Sequence, residues 1–235
     1  MLIFAHIFAG ALLGLGFWNL TNDRRAVPFC ILGSILPDLI DKSLALLFPS
    51  VLGEGRTVFH ALMIVIIIFL CILIFFRSVS RWLGAGVACA ILFHHVFDEM
   101  WTLPTTWFYP LLGPFQGHLI PDYIGTYFWY EITNPSEWMF VIGSVMILAQ
   151  SYHYLPVIPH IRRSDFLKTG TYKFFAVVFL GIGIYLVVAG FTSTTATVLT
   201  PNYDKVLTVI AGMIAVCGAF VMNWEKAYNP QRIAP

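Results

Sequence analysis

The chain has 235 residues, of which 59% are hydrophobic and only 11% charged, and its mean hydropathy is +0.81. A soluble domain carries about 25% charged and about 45–50% apolar residues, so an ordinary soluble enzyme and a disordered chain are both excluded. Thirteen Lys and Arg against 12 Asp and Glu leave a net charge of +1, which implies no acidic polymer partner and excludes a nucleic-acid binder.

The composition predicts an all-α, polytopic transmembrane helical bundle of about seven helices. A helix needs about 20 mostly apolar residues to cross the hydrocarbon core. Seven stretches meet that need, at 2–20, 26–48, 57–77, 82–104, 136–158, 172–192 and 204–223. The second is interrupted by Asp38 and Asp41, and Pro37 is expected to break it there. Strands are not expected, because the runs are long and lack period-two alternation. The first stretch has no basic leader or small-residue cleavage site and reads as a retained span. Cys30, Cys71, Cys89 and Cys217 each lie in an apolar run without a Cys-x-x-Cys pair, so neither disulfides nor a thiolate metal site is indicated.

Lys and Arg set the orientation. With the N-terminus outside and the C-terminus cytoplasmic, Arg24, Arg25, Arg77, Arg81, Arg162, Arg163, Lys168, Lys173, Lys226 and Arg232 are cytoplasmic; only Lys42, Arg56 and Lys205 face out. Three regions follow: a transmembrane core at 1–115, an outer aromatic interfacial segment at 116–135, and three additional helices with a cytoplasmic tail at 136–235.

Ionisable groups inside spans are costly and mark functional sites. Here they are His6, Asp38, Asp41, His60, His94, His95, Asp98, Glu99 and His153. On this topology four helices place theirs toward the outer leaflet: His6 at the start of the first, Asp38 and Asp41 late in the second, His60 early in the third, and His94 and Asp98 at the end of the fourth. His153 falls on the opposite side. His94 and Asp98 stand four residues apart on one helix face, and Asp38 and Asp41 three apart. Neutral imidazoles with carboxylates suit Zn, Mn or Fe, and a divalent ion, or two, would offset the cost of burying them. Adjacent His94 and His95 point about 100° apart, so one of them is the ligand; His95 pairs with Glu99 at the same spacing. Asp41 is followed by Lys42 and also reads as a solvated pair.

The motifs run His6, Pro37-Asp38-Leu39-Ile40-Asp41, Arg56-Thr57-Val58-Phe59-His60, His94-His95-Val96-Phe97-Asp98 and Trp107-Phe108-Tyr109-Pro110. Over roughly residues 1–115 this order resembles the membrane-bound metal-dependent hydrolases that include the LexA-binding inner-membrane proteins of bacteria. That family is distantly similar to zinc-dependent phospholipase C and P1-type nucleases. The resemblance implies one metal site from Asp38, His60, His94 and Asp98, and a second from His6 and a bridging Asp98. A third zinc is not expected, since only His118 with Asp122, in a loop, has matching spacing. The family's His-Arg-Gly-x-Thr-His-Ser motif is altered, with its first His missing and Ala61 after His60.

The expected function is therefore a metal-dependent hydrolase of a phosphoester in a lipid or lipid-linked substrate. The ion is expected to be Zn, with Mn or Fe as alternatives. Asp41 or Glu99 would be the general base and Arg56 a contact to a phosphate oxygen. The alternative is a non-enzymatic membrane protein, a metal or proton transporter or a scaffold, using the same cluster. Transporters place their sites near the midplane between repeats, and no repeat is visible here. Membrane lipids are the expected partners, and no oligomeric state is implied.

Overall fold

The computed structural model describes residues 2–48, 52–53, 55–75, 79–115, 122–152, 165–192 and 197–223. Among them the α-helices are α1 (Ile3–Thr21), α2 (Ala26–Leu47), α3 (Leu62–Phe75), α4 (Val79–Phe97), α5 (Pro104–Trp107), α6 (Tyr123–Thr133), α7 (Pro135–Tyr152), α8 (Asp165–Thr192) and α9 (Lys205–Asn223). Short 3-10 turns at Val58–His60 and Met100–Thr102 interrupt the pattern. The fold is all-helical, as a membrane bundle requires. His118 and His153 lie outside the described residues.

The apolar runs become helices close to where the sequence places them, but their ends differ in a way that matters. Stretch 57–77 opens as a 3-10 turn and becomes α3 only at Leu62. Stretch 82–104 stops at Phe97, where Glu99 takes a left-handed conformation (φ 52°). Pro37 sits inside α2 without breaking it, contrary to expectation. Its missing N–H leaves the carbonyl of Gly33 without its helical donor, yet the helix runs on to Leu47.

Among the described residues, three helices are long and apolar enough to cross a membrane: Ile3–Thr21, Gly170–Thr192 and Lys205–Asn223. Gly125–Thr133 and Pro135–Ala149, bent by 73° at Asn134, would make a fourth if they act as one broken span. Seven full-length spans are therefore not present among the described residues. Helix α2 is long enough but carries Asp38, Asp41 and Lys42. The helix α3 has only 14 residues, or about 21 Å. It and α4 are each shortened at the end where they meet the polar turns.

Helix α1 lies at the centre, packing on α2, α4, α7 and α9; α2 packs on α4, α3 on α4, and α8 on α9. Close approach is made possible by glycine. A Cβ at Gly10 would meet Ser34 Oγ at 2.4 Å and the Cys30 carbonyl at 2.9 Å, so α1 touches the α2 backbone. A Cβ at Gly33 would stand 2.7 Å from the Val87 carbonyl, which brings α2 equally close to α4. On its other face α1 inserts Phe8 between Phe140 of α7 and Phe179 of α8, with ring centroids 5.4 Å from each.

The first turn of α1 is capped by residues far away in sequence. Leu2 at the cap position offers no side-chain hydrogen bond, so the free N–H groups of the first turn need other acceptors. The N–H groups of Ile3 and Phe4 donate to the two oxygens of Glu131 (3.1 and 3.2 Å), and that of Ala5 donates to Glu137 (3.0 Å). The Leu2 N–H reaches the Tyr203 hydroxyl, which in turn donates to Glu137. Two carboxylates at a helix N-terminus also complement its dipole. Helices α6 and α7 and the segment before α9 thereby hold the end of α1 that carries His6. Glu137→Ala leaves the Ala5 N–H and the Tyr203 hydroxyl without their acceptor. It should destabilise the protein by roughly 1–3 kcal/mol, seen as a lower Tm in detergent; an unchanged Tm would show that the cap contributes nothing.

Candidate metal centre

The two backbone corrections above bring the site together. The 3-10 turn at Val58–His60 is built on Asp41, a fully buried residue of α2. Its carboxylate accepts the N–H groups of Thr57 (2.9 Å), Phe59 (3.0 Å) and His60 (3.2 Å). The same oxygen meets Nδ1 of His60 at 2.8 Å. Across the gap, Nδ1 of His94 meets the carbonyl oxygen of Ser34 at 2.7 Å.

These two contacts decide the imidazole tautomers. A carbonyl oxygen and a carboxylate that already accepts three N–H groups both require a donor, so each Nδ1 carries hydrogen. Each Nε2 then presents a lone pair. The two Nε2 atoms face each other at 3.2 Å, an arrangement that needs a cation shared between them, either a metal ion or a proton on one ring. Two carboxylates complete the set. Asp38 Oδ1 is 3.6 Å from Nε2 of His60 and 3.8 Å from that of His94. Asp98 Oδ2 is 3.8 and 3.9 Å from the same atoms. All four donors lie within 4.8 Å of one another and all four residues are buried. Four ligands in a tetrahedron with bonds of about 2.0–2.2 Å stand roughly 3.3–3.6 Å apart. The geometry and the donor types fit one divalent ion.

Asp38 Oδ1 has no hydrogen bond, while its Oδ2 receives Lys42 Nζ at 2.5 Å. Asp38 thus offers one oxygen inward and has the other engaged. His6 Nε2 stands 3.1 Å from Asp98 Oδ1, and its ring stacks on His94 with centroids 4.1 Å apart. His6 therefore braces one ligand and packs on another. Among the described residues, no third His, Cys, Asp or Glu joins His6 and Asp98 to make a second converging group.

Of the other expected site residues, Asp41 is placed differently from the expectation. It is neither a solvated partner of Lys42 nor open to a substrate as a general base, because backbone donors and His60 occupy its oxygens. It orients His60 from behind, as carboxylates commonly orient metal-binding imidazoles. Lys42 pairs with Asp38 instead. Arg56 Nη2 stands 3.4 Å from Asp98 Oδ2. His95 turns away, with Nε2 on the Phe59 carbonyl (3.0 Å) and Nδ1 accepting from Trp107 Nε1 (3.3 Å). Glu99 faces Asp204. Asp122 caps α6 by accepting the Gly125 N–H. The Ser34 carbonyl and the pairing of Lys42 with Asp38 were not foreseen. The first is a backbone group with no sequence signal, whereas the second was available in the four-residue spacing. Asp41→Asn removes the charge that holds His60 and should weaken metal binding about 10–100-fold with the helical content retained. A competition titration with a chromophoric chelator measures this; equal affinity would remove Asp41 from the site.

Two aromatic side chains come close to the site: Trp107 Nε1 donates to His95 Nδ1, and the Tyr127 ring of α6 lies 5.3 Å from Lys42 Nζ. No curated protein and no solved structure shows significant similarity to the chain. A family model does match, and it runs from residue 1 to residue 196, well beyond residue 115 where the resemblance was expected to end. Helices α6 to α8 are therefore part of the family pattern and not an addition to it. With its apolar spans and a match over most of its length, the chain belongs to the family described as YdjM inner membrane protein and is an inner-membrane protein.

Proposed function

We propose that this protein is a membrane-embedded, metal-dependent hydrolase that cleaves a phosphoester bond in a lipid or lipid-linked substrate. The observation that carries the reading is the pair of facing imidazole nitrogens flanked by two buried carboxylates. Zn suits this set of two nitrogens and two oxygens best, with Mn and Fe as alternatives. A divalent ion bound there supplies Lewis acidity and lowers the pKa of its water.

The chain's own residues divide the remaining work. Asp38, His60, His94 and Asp98 would hold the ion. Asp41, His6 and the Ser34 carbonyl keep three of those ligands in orientation. Glu99, next to Asp98, is the carboxylate left to serve as base. Arg56 stands beside Asp98 at the edge of the cluster, where a substrate oxygen would arrive. The Lys and Arg asymmetry of the sequence puts this end of the bundle at the outer leaflet, at headgroup depth, which favours a lipid over a soluble substrate.

A scaffold reading has one observation in its favour: Lys42 and Arg56 already counter two of the carboxylates. A proton shared by the two facing nitrogens would serve such a scaffold, but it leaves the buried Asp38 Oδ1 without a hydrogen bond. Transport is less well supported, since α2 is continuous through Pro37 and the cluster lies at one end of the bundle rather than between repeats.

Elemental mass spectrometry on detergent-purified protein should find about one Zn, Mn or Fe per chain. His60→Ala/Asp98→Ala should lose at least 90% of it while remaining folded by circular dichroism. Absence of metal in the wild type, even after incubation with Zn and Mn, would overturn the reading in favour of an ion-pair scaffold. Metal-loaded protein should release product from phospholipid or lipid-phosphate vesicles, and chelation should stop the release. Metal bound without turnover on any phosphoester lipid would leave a binding protein rather than a hydrolase.

A further inference from the structure

We infer that Lys42 and Arg56 form, beside the ion, a binding site for a phosphate-type anion, and that the anion it takes is the phosphate of a membrane lipid. This rests on the metal reading above and adds the group that recognises the substrate.

The two cations come from different elements, α2 and the segment leading into the 3-10 turn, yet they reach the same cluster. Lys42 Nζ contacts Asp38 Oδ2 and Arg56 Nη2 contacts Asp98 Oδ2, so each touches a different metal-ligand carboxylate. Both side chains are 27% exposed, against 3% for Asp38 and 1% for Asp98. Both therefore connect the buried cluster with its surroundings. Glu99 lies near Arg56 but is directed at Asp204.

The two cations also differ in what they offer an anion. The guanidinium fork matches a tetrahedral oxyanion, and an ammonium adds a point charge. The Tyr127 ring near Lys42 Nζ favours an ammonium held in place.

The surroundings favour a lipid as the source of that phosphate. Leu111, Leu112, Phe128 and Trp129 are exposed on the segments next to Trp107 and Tyr127. Such residues suit the interface where acyl chains meet headgroups.

The test uses the full-length chain loaded with Co(II), whose visible spectrum reports on its ligands. Inorganic phosphate is titrated into wild type, Lys42→Gln, Arg56→Gln and the conservative Lys42→Arg and Arg56→Lys, with signals normalised to bound cobalt. Phosphate should perturb the wild-type spectrum. Each Gln variant should weaken the apparent affinity about 10-fold or more, and each conservative variant should recover part of it. The same titration in nanodiscs containing phosphatidic acid should saturate at lower phosphate content than free phosphate requires; nanodiscs containing only diacylglycerol as the added lipid should give no change. Equal phosphate affinity in wild type and both Gln variants, with cobalt bound, would overturn the anion site and leave the metal reading standing. Phosphatidic acid binding no better than free phosphate would overturn the lipid assignment alone. Failure of the wild type to bind cobalt would overturn both.

Discussion

Everything at this site depends on how two imidazole rings are held from behind. His60 and His94 each have Nδ1 committed as a donor, one to a carboxylate and the other to a backbone carbonyl. Their Nε2 lone pairs are therefore forced to face each other at 3.2 Å. That contact needs a shared proton or a metal ion, and two carboxylates stand where a tetrahedral ion would need them. The supporting hydrogen bonds are as much a part of the site as the ligands. Asp41 illustrates this: it makes no contact with the proposed ion, yet it shapes the turn, orients the ring and selects the tautomer.

The same constraint explains why two of the helices are short. In the hydrocarbon core every backbone polar group must be satisfied within the protein. Irregular backbone is tolerated there only where other groups meet it. The 3-10 turn at Val58–His60 satisfies that condition because Asp41 accepts three of its N–H groups. The α4 helix ends beside it at Phe97, so that Asp98 and Glu99 fall on the turn that follows. Glycines at positions 10 and 33 let α1, α2 and α4 approach closely enough for four separate segments to reach one point. Packing by small residues is a common solution in membrane bundles, where lipid tails offer no hydrophobic drive between helices.

The later helices take part in this arrangement. Glu131 and Glu137 cap α1 and Tyr203 ties them to the segment before α9. That end of α1 carries His6, which braces Asp98. The Phe8, Phe140 and Phe179 cluster reinforces the same attachment from the apolar side. The family match runs through residue 196 and so takes in both the motif region and helices α6 to α8.

Much of this was determined by the sequence alone. Long apolar runs with few charges dictate a helical membrane protein, because only helices and closed barrels satisfy the backbone in lipid. The rarity of ionisable residues made His6, Asp38, His60, His94 and Asp98 stand out, and their helical spacing placed them near one end of the bundle. Tertiary structure alone decided what each of them does. Sequence spacing cannot tell where a carboxylate points: Asp41, expected as a general base or a solvated partner of Lys42, faces the turn behind His60, and only Asp38 faces the cluster. It cannot show a backbone carbonyl as a partner, which hid Ser34. Nor can it show where an apolar run stops being helical, because that depends on acceptors such as Asp41 supplied by another helix. The capping of α1 by Glu131 and Glu137 crosses more than 120 residues. Only folding brings such a donor and acceptor together, and no local pattern records it.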